Sequence, residues 1–127
     1  MAEKWIYWLK ELGTNDNNIV GKKCANLGEL TKGGFNVPLG FALGVTAYER
    51  FMKETPAMDE LIQYLKDFHA DPDRVEDTLK FEEASKVMRS MVQSIKMPPD
   101  MEETVRAYYG ELCSQAKKEK VYVATRS

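Results

Sequence analysis

A chain of 127 residues, 43% hydrophobic and 30% charged, is one domain's worth and long enough to bury a real core. A net charge of −2 argues against a nucleic-acid binder, whose footprint is usually a basic face, and no apolar run reaches the length of a membrane span. Residues 5–9 are too short for a signal-peptide core, so the expectation is a cytoplasmic protein with neither nucleic acid nor membrane as partner.

In chain order, Trp5-Ile6-Tyr7-Trp8-Leu9 is aromatic and apolar throughout and reads as a strand. Gly13-Thr14-Asn15-Asp16-Asn17-Asn18 is a turn whose side chains bond their own backbone. Ala25, Leu27 and Leu30 then predict a short helix that starts near Lys22 or Lys23 and ends at Gly33-Gly34. Residues 35–43 read as a strand, with Pro38 confined to its first residues or an edge. Thr46 and Glu49 have the spacing of a capping box, which predicts a helix over 47–53 closed by Thr55-Pro56.

The middle of the chain is helical. Leu61, Ile62, Leu65 and Phe68 recur at helical spacing. Asp71-Pro72-Asp73 reads as the N-cap, first position and acidic first turn of a long helix. Its apolar stripe is Val75, Leu79, Val87, Met88, Met91, Val92 and Ile95. Pro98-Pro99-Asp100 breaks it, and Met101, Val105, Tyr108 and Leu112 mark the next helix. These methionines and tyrosines read as core packing rather than a cofactor box. Residues 121–127 read as a strand with alternating faces, running off the chain end in the manner of a domain cut short.

Few residue types suggest chemistry. Cys24 and Cys113 lie far apart without a nearby histidine, which points to reduced thiols and not to a metal site or a disulfide framework. His69, the single histidine, lies at a helix end before a proline and reads as a helix C-terminal residue rather than a catalytic one. Gly21-Lys22-Lys23 before a helix is a candidate anion site, because a helix start offers unpaired N–H groups and glycine allows close backbone approach. It is no Walker loop, since the G-x-x-x-x-G-K-[ST] spacing is absent. Solvated surface is the plain alternative for the two lysines. Arg126, after an apolar strand, offers a planar fork to phosphate oxygens, with a charge at a chain end as its alternative.

Taken together these segments resemble a known family. Val20-Gly21-Lys22-Lys23-Cys24-Ala25-Asn26-Leu27-Gly28-Glu29-Leu30 is similar to the V-G-G-K-[GN]-A-x-L-G-E-[LM] signature of the phosphoenolpyruvate synthase, pyruvate phosphate dikinase and rifampin phosphotransferase superfamily. Trp8-Leu9-Lys10-Glu11-Leu12-Gly13 resembles the W-F-x-E-L-G segment found before it in phosphoenolpyruvate synthases. Asn36-Val37-Pro38-Leu39-Gly40-Phe41, with Ala47-Tyr48 and Phe51, resembles x-V-P-x-G-F…A-Y-x-x-F. Val123-Ala124-Thr125-Arg126-Ser127 resembles V-A-V-R-S, which in the family continues into S-A-x-x-E-D. The motifs occur in the family's order along the whole chain, while the helical middle matches in character alone.

The resemblance implies that residues 1–127 are the N-terminal segment of an ATP-grasp type nucleotide-binding domain, cut short at 127. The expected class is α+β or α/β, a small sheet from the segments near Trp5, Phe41 and Tyr122 flanked by four or five helices. It implies ATP as cofactor, with Lys23 and Arg126 on its phosphates and Gly21 and Lys22 as further candidates. Magnesium would be held by carboxylates outside this chain, and no residue here is expected to be catalytic or to ligate metal. Enzymes of the family move the β-phosphoryl of ATP to a histidine on a separate swivelling domain, releasing AMP, and then pass it to pyruvate or another acceptor. The remaining domains or subunits of the parent phosphotransferase would therefore be partners, and this segment alone would be inactive. The sequence departs from the pattern where Lys22 replaces the second glycine of G-G-K, where Cys24 follows the lysine, and where Gly44 and Val45 replace paired threonines. Alternative readings are therefore a divergent subunit of a phenylphosphate-synthase-like or rifampin-phosphotransferase-like enzyme, or a non-catalytic ATP-grasp remnant that binds a partner.

Overall fold

A computed structural model describes residues 3–127. These fall into two units, residues 3–49 with Pro99–Ser127, and Arg50–Pro98.

In the first unit, β1 (Ile6–Trp8) pairs antiparallel with β2 (Phe41–Leu43), with Ile6 opposite Leu43, Tyr7 opposite Ala42 and Trp8 opposite Phe41. Leu9 N–H to the Gly40 carbonyl (3.0 Å) and Gly44 N–H to the Trp5 carbonyl (2.8 Å) extend the ladder at its ends. The facing aromatics Trp8 and Phe41 meet edge to face at 5.7 Å, and Tyr108 stacks on Trp8 at 5.0 Å. The ring trio ties the ribbon to α5 (Pro99–Gln115), whose predicted stripe packs with Met101 and Leu112 buried. Pro99 takes the first helical position, where its missing N–H costs nothing.

The sheet is smaller than the sequence suggests. Residues 35–40 are not strand: Pro38 cannot donate to a ladder, and Val37 N–H turns back onto the Phe35 carbonyl at 2.9 Å. Residues 121–127 are not strand either, because the Tyr109 hydroxyl takes both backbone groups of Val121 that a neighbouring strand would need. The α+β class holds with two strands and five α-helices among the described residues.

The helical run α1 (Asn17–Lys32) is broken at Gly21, with φ 80° and ψ 163°, so the regular helix starts at Lys22 as the sequence predicts. It ends on Gly34, at φ 85°, with Phe35 N–H on the Leu30 carbonyl and Gly34 N–H on that of Thr31. α2 (Val45–Glu54) is slightly longer than predicted, and Thr46 makes no capping box. Its hydroxyl donates instead to the Lys4 carbonyl at 3.0 Å.

In the second unit, α3 (Ala57–Asp67) and α4 (Thr78–Ser94) are joined through Phe68, which stacks on Tyr64 and meets Phe81 edge to face. α4 does not start at Pro72. The Asp71 carboxylate accepts from Asp73 N–H and the Asp71 carbonyl accepts from Arg74 N–H, so this segment closes into a turn. A short 3-10 turn, Val75–Asp77, follows, and α4 begins after it. The helical phase is therefore set later than the sequence implies. Val75 and Leu79 are left exposed, while Ala84 is buried and Val87, Met88, Met91 and Val92 are half-buried.

Candidate phosphate-binding site

The break at Gly21 is a backbone conformation that only glycine adopts without strain. A Cβ built there would meet nothing within 4 Å, so the space over this turn is open. Lys22 and Lys23 follow at the start of the regular helix, both exposed. A helix start carries partial positive charge, and two lysines at this one add fixed charge of the sign an anion needs.

The second candidate arrives from the far end of the chain. Lys23 Nζ donates to the main-chain oxygen of Ser127 at 3.0 Å, across a separation of 104 residues. Arg126, one residue before this contact, is exposed, and no ion pair engages its guanidinium among the described residues. The fold therefore brings the Gly21-Lys22-Lys23 turn and the Arg126 segment to one place, although neither local pattern foretells the meeting.

Other residues of the same signature serve the scaffold. A Cβ on Gly28 would overlap the Leu12 backbone and approach the Leu12 side chain to 2.6 Å, so α1 lies against residue 12 only because Gly28 has no side chain. The Glu29 carboxylate accepts from Thr14 N–H at 3.1 Å and ties the preceding loop to the helix. Glu11 accepts from Trp8 N–H at 2.7 Å and pairs with Lys4 at 2.8 Å. The Lys4 hydrogen bond holds the Glu11 carboxyl below its usual range against some desolvation, and Glu11 in return raises Lys4.

Sequence reading passed over Tyr109, which lies beside the Tyr108 stripe and looks like one more packing aromatic. Its hydroxyl donates to the Val121 carbonyl at 2.7 Å and accepts from Val121 N–H at 3.1 Å. Cys24 is half-buried and Cys113 buried, both as free thiols, and His69 lies just beyond the end of α3. Among the described residues, no three His, Cys, Asp or Glu side chains are grouped to hold a metal ion.

Residues 17–127 match the family described as pyruvate phosphate dikinase, AMP/ATP-binding domain. The chain belongs to that family. Among relatives of this dikinase-type ATP-binding segment, a probable phosphoenolpyruvate synthase of Methanothermobacter thermautotrophicus is 34% identical, over 98% of this chain and 17% of the relative. Another from Methanocaldococcus jannaschii is 36% identical, over 98% of this chain and 10% of its own length. The phosphoenolpyruvate synthase of Pyrococcus furiosus is 30% identical, over the whole chain and 19% of its own length. The dikinase-type segment thus spans between 10% and 19% of these relatives. No helix of the described residues is long and apolar enough to cross a membrane.

Proposed function

We propose that this chain supplies the opening part of the ATP site of a phosphotransferase resembling phosphoenolpyruvate synthase. In that reading Lys23 and Arg126 hold the nucleotide's phosphates, with the open Gly21 turn and Lys22 completing the cradle. The observation that carries it is the 3.0 Å bond from Lys23 to the main-chain oxygen of Ser127, which joins segments of two motifs across 104 residues beside an unobstructed glycine turn. Phosphoryl transfer depends chiefly on positioned positive charge, and this constellation supplies it without a nucleophile or base of its own. In the same reading magnesium is held by carboxylates outside this chain. The histidine that receives the phosphoryl group and the acceptor, pyruvate or a related compound, also lie outside it, and the remaining domains or subunits are its partners in an ATP-grasp type assembly of the cytoplasm.

The test is calorimetric titration of the 127-residue chain with Mg-ATP beside Lys23→Ala and Arg126→Ala. Binding in the millimolar range or tighter is expected, weakened about tenfold in either variant, which corresponds to about 1.4 kcal/mol for one charge-assisted phosphate contact. Equal binding by all three proteins would remove these residues from the site. Absence of binding, here and in a longer natural chain containing the segment, would overturn the nucleotide reading in favour of a non-catalytic binding module.

A further inference from the structure

The segment that carries Arg126 is held by very little. Tyr122 is 93% exposed and Val123 55%, so side-chain packing does not fix it. Beyond Lys118, the hydrogen bonds that engage this segment among the described residues are the two between Tyr109 and Val121 and the one from Lys23 to Ser127. The approach to the Tyr109 hydroxyl is itself built. After α5, Lys117 adopts φ 55°, Lys118 N–H bonds the Cys113 carbonyl and Lys117 N–H that of Ser114, which turns the chain back along the helix it has just left.

We propose that the Tyr109 hydroxyl is a positioning group for the phosphate site, clasping both backbone groups of Val121 so that residues 122–127 reach Lys23 and present Arg126 beside it. This rests on the phosphate-site reading above and adds to it a residue outside that site's motifs. A hydroxyl is suited to the task because it donates and accepts at once, and here it does both toward a single residue. A tyrosine hydroxyl, with an ordinary pKa of about 10, keeps its proton at neutral pH, and here the Cys113 thiol, then desolvation, raise the value further while the Val121 hydrogen bond lowers it. With the clasp intact, Ser127 lies six positions beyond the anchored Val121; without it the nearest anchor is Lys118, nine positions away. Chain-closure statistics alone then lower the local concentration of the segment at Lys23 about twofold, and loss of the imposed direction lowers it further.

The variant is Tyr109→Phe in the full 127-residue chain, compared with wild type by NMR. Expected are at least tenfold faster amide exchange at Val121 and a Lys23–Ser127 cross-peak reduced by half or more, with α1 and α5 protection unchanged. Mg-ATP binding should weaken about two- to tenfold while the variant remains folded. An undiminished Lys23–Ser127 cross-peak, or unchanged exchange at Val121, overturns the proposal. A measurement on the wild type guards against a variant that fails to fold: the Tyr109 hydroxyl proton should be slowly exchanging and show a cross-peak to Val121. Its absence overturns the clasp regardless of the variant. Failure of the wild type to bind Mg-ATP would count against the phosphate-site reading, whereas the cross-peaks decide the clasp without nucleotide.

Discussion

At the scale of single residues, two glycines of one signature are required for opposite reasons. Gly28 is required by space: a methyl group there overlaps the Leu12 backbone. Gly28→Ala would gain about 1 kcal/mol in helix propensity, but forcing a group into packed backbone costs about 1–3 kcal/mol or more. Since backbone cannot yield as a side-chain tip can, net destabilisation is expected in urea unfolding; a more stable variant would show that the Leu12 contact is loose. Gly21 has open space and is required by its backbone angles, so Gly21→Ala should cost about 1–3 kcal/mol through strain alone. Both glycines could be picked out in the sequence, and Gly21 could be given its reason, since a helix start with two lysines suggests a close backbone approach. The reason for Gly28 could not be read there, because its obstacle lies sixteen residues earlier on a loop whose position only the fold defines.

At the scale of elements, helix ends tell how far local rules reach. Gly33-Gly34 announces the end of α1, and Gly34 takes the left-handed position there. The end of α5 uses the same hydrogen-bond pattern with a lysine in the left-handed position, and nothing in Ala116-Lys117-Lys118 announces it. Lys117→Gly should therefore stabilise the protein by about 1 kcal/mol, read as a higher melting temperature. The start of α4 failed as a prediction because Asp71 has two possible uses, helix cap or turn closure, and the turn wins. That turn is fastened by the buried Asp77 carboxylate, which accepts from Asp71 N–H at 2.8 Å and pairs with Lys80 at 3.1 Å. The Asp71 hydrogen bond, then Lys80, lower the Asp77 pKa. A lowered folded-state pKa contributes stability that is present above the ordinary aspartate value of about 3.9 and is lost as pH falls through the folded value. Melting profiles of wild type and Asp77→Asn should differ at neutral pH and converge in acid; curves that stay parallel would mean that Asp77 is not coupled to folding.

At the scale of the whole molecule, class and motif order were legible and sheet content was not. Helical stripes and proline breaks are local properties, whereas strand pairing depends on whether a neighbour is free. Residues 121–127 alternate like a strand, but the backbone of Val121 meets a tyrosine hydroxyl instead of a partner edge. The candidate site shows the same division: Gly21, Lys22, Lys23 and Arg126 could be named from sequence, while Tyr109 could not, because its use is defined by a backbone twelve residues away. The exposed apolar side chains, among them Val75 at 86% and Leu79 at 72%, predict weak self-association. Sedimentation over a hundredfold concentration range should show it, and Val75→Lys with Leu79→Lys should reduce it. The bond from Lys23 to Ser127 also has a kinetic consequence. A contact spanning 104 residues is expected to form late, after the local helices and the ribbon, and so to be largely missing from the folding transition state. An anion that bridges Lys23 and Arg126 would then leave the refolding rate nearly unchanged and slow unfolding, making the nucleotide a kinetic lock between α1 and the segment that carries Arg126.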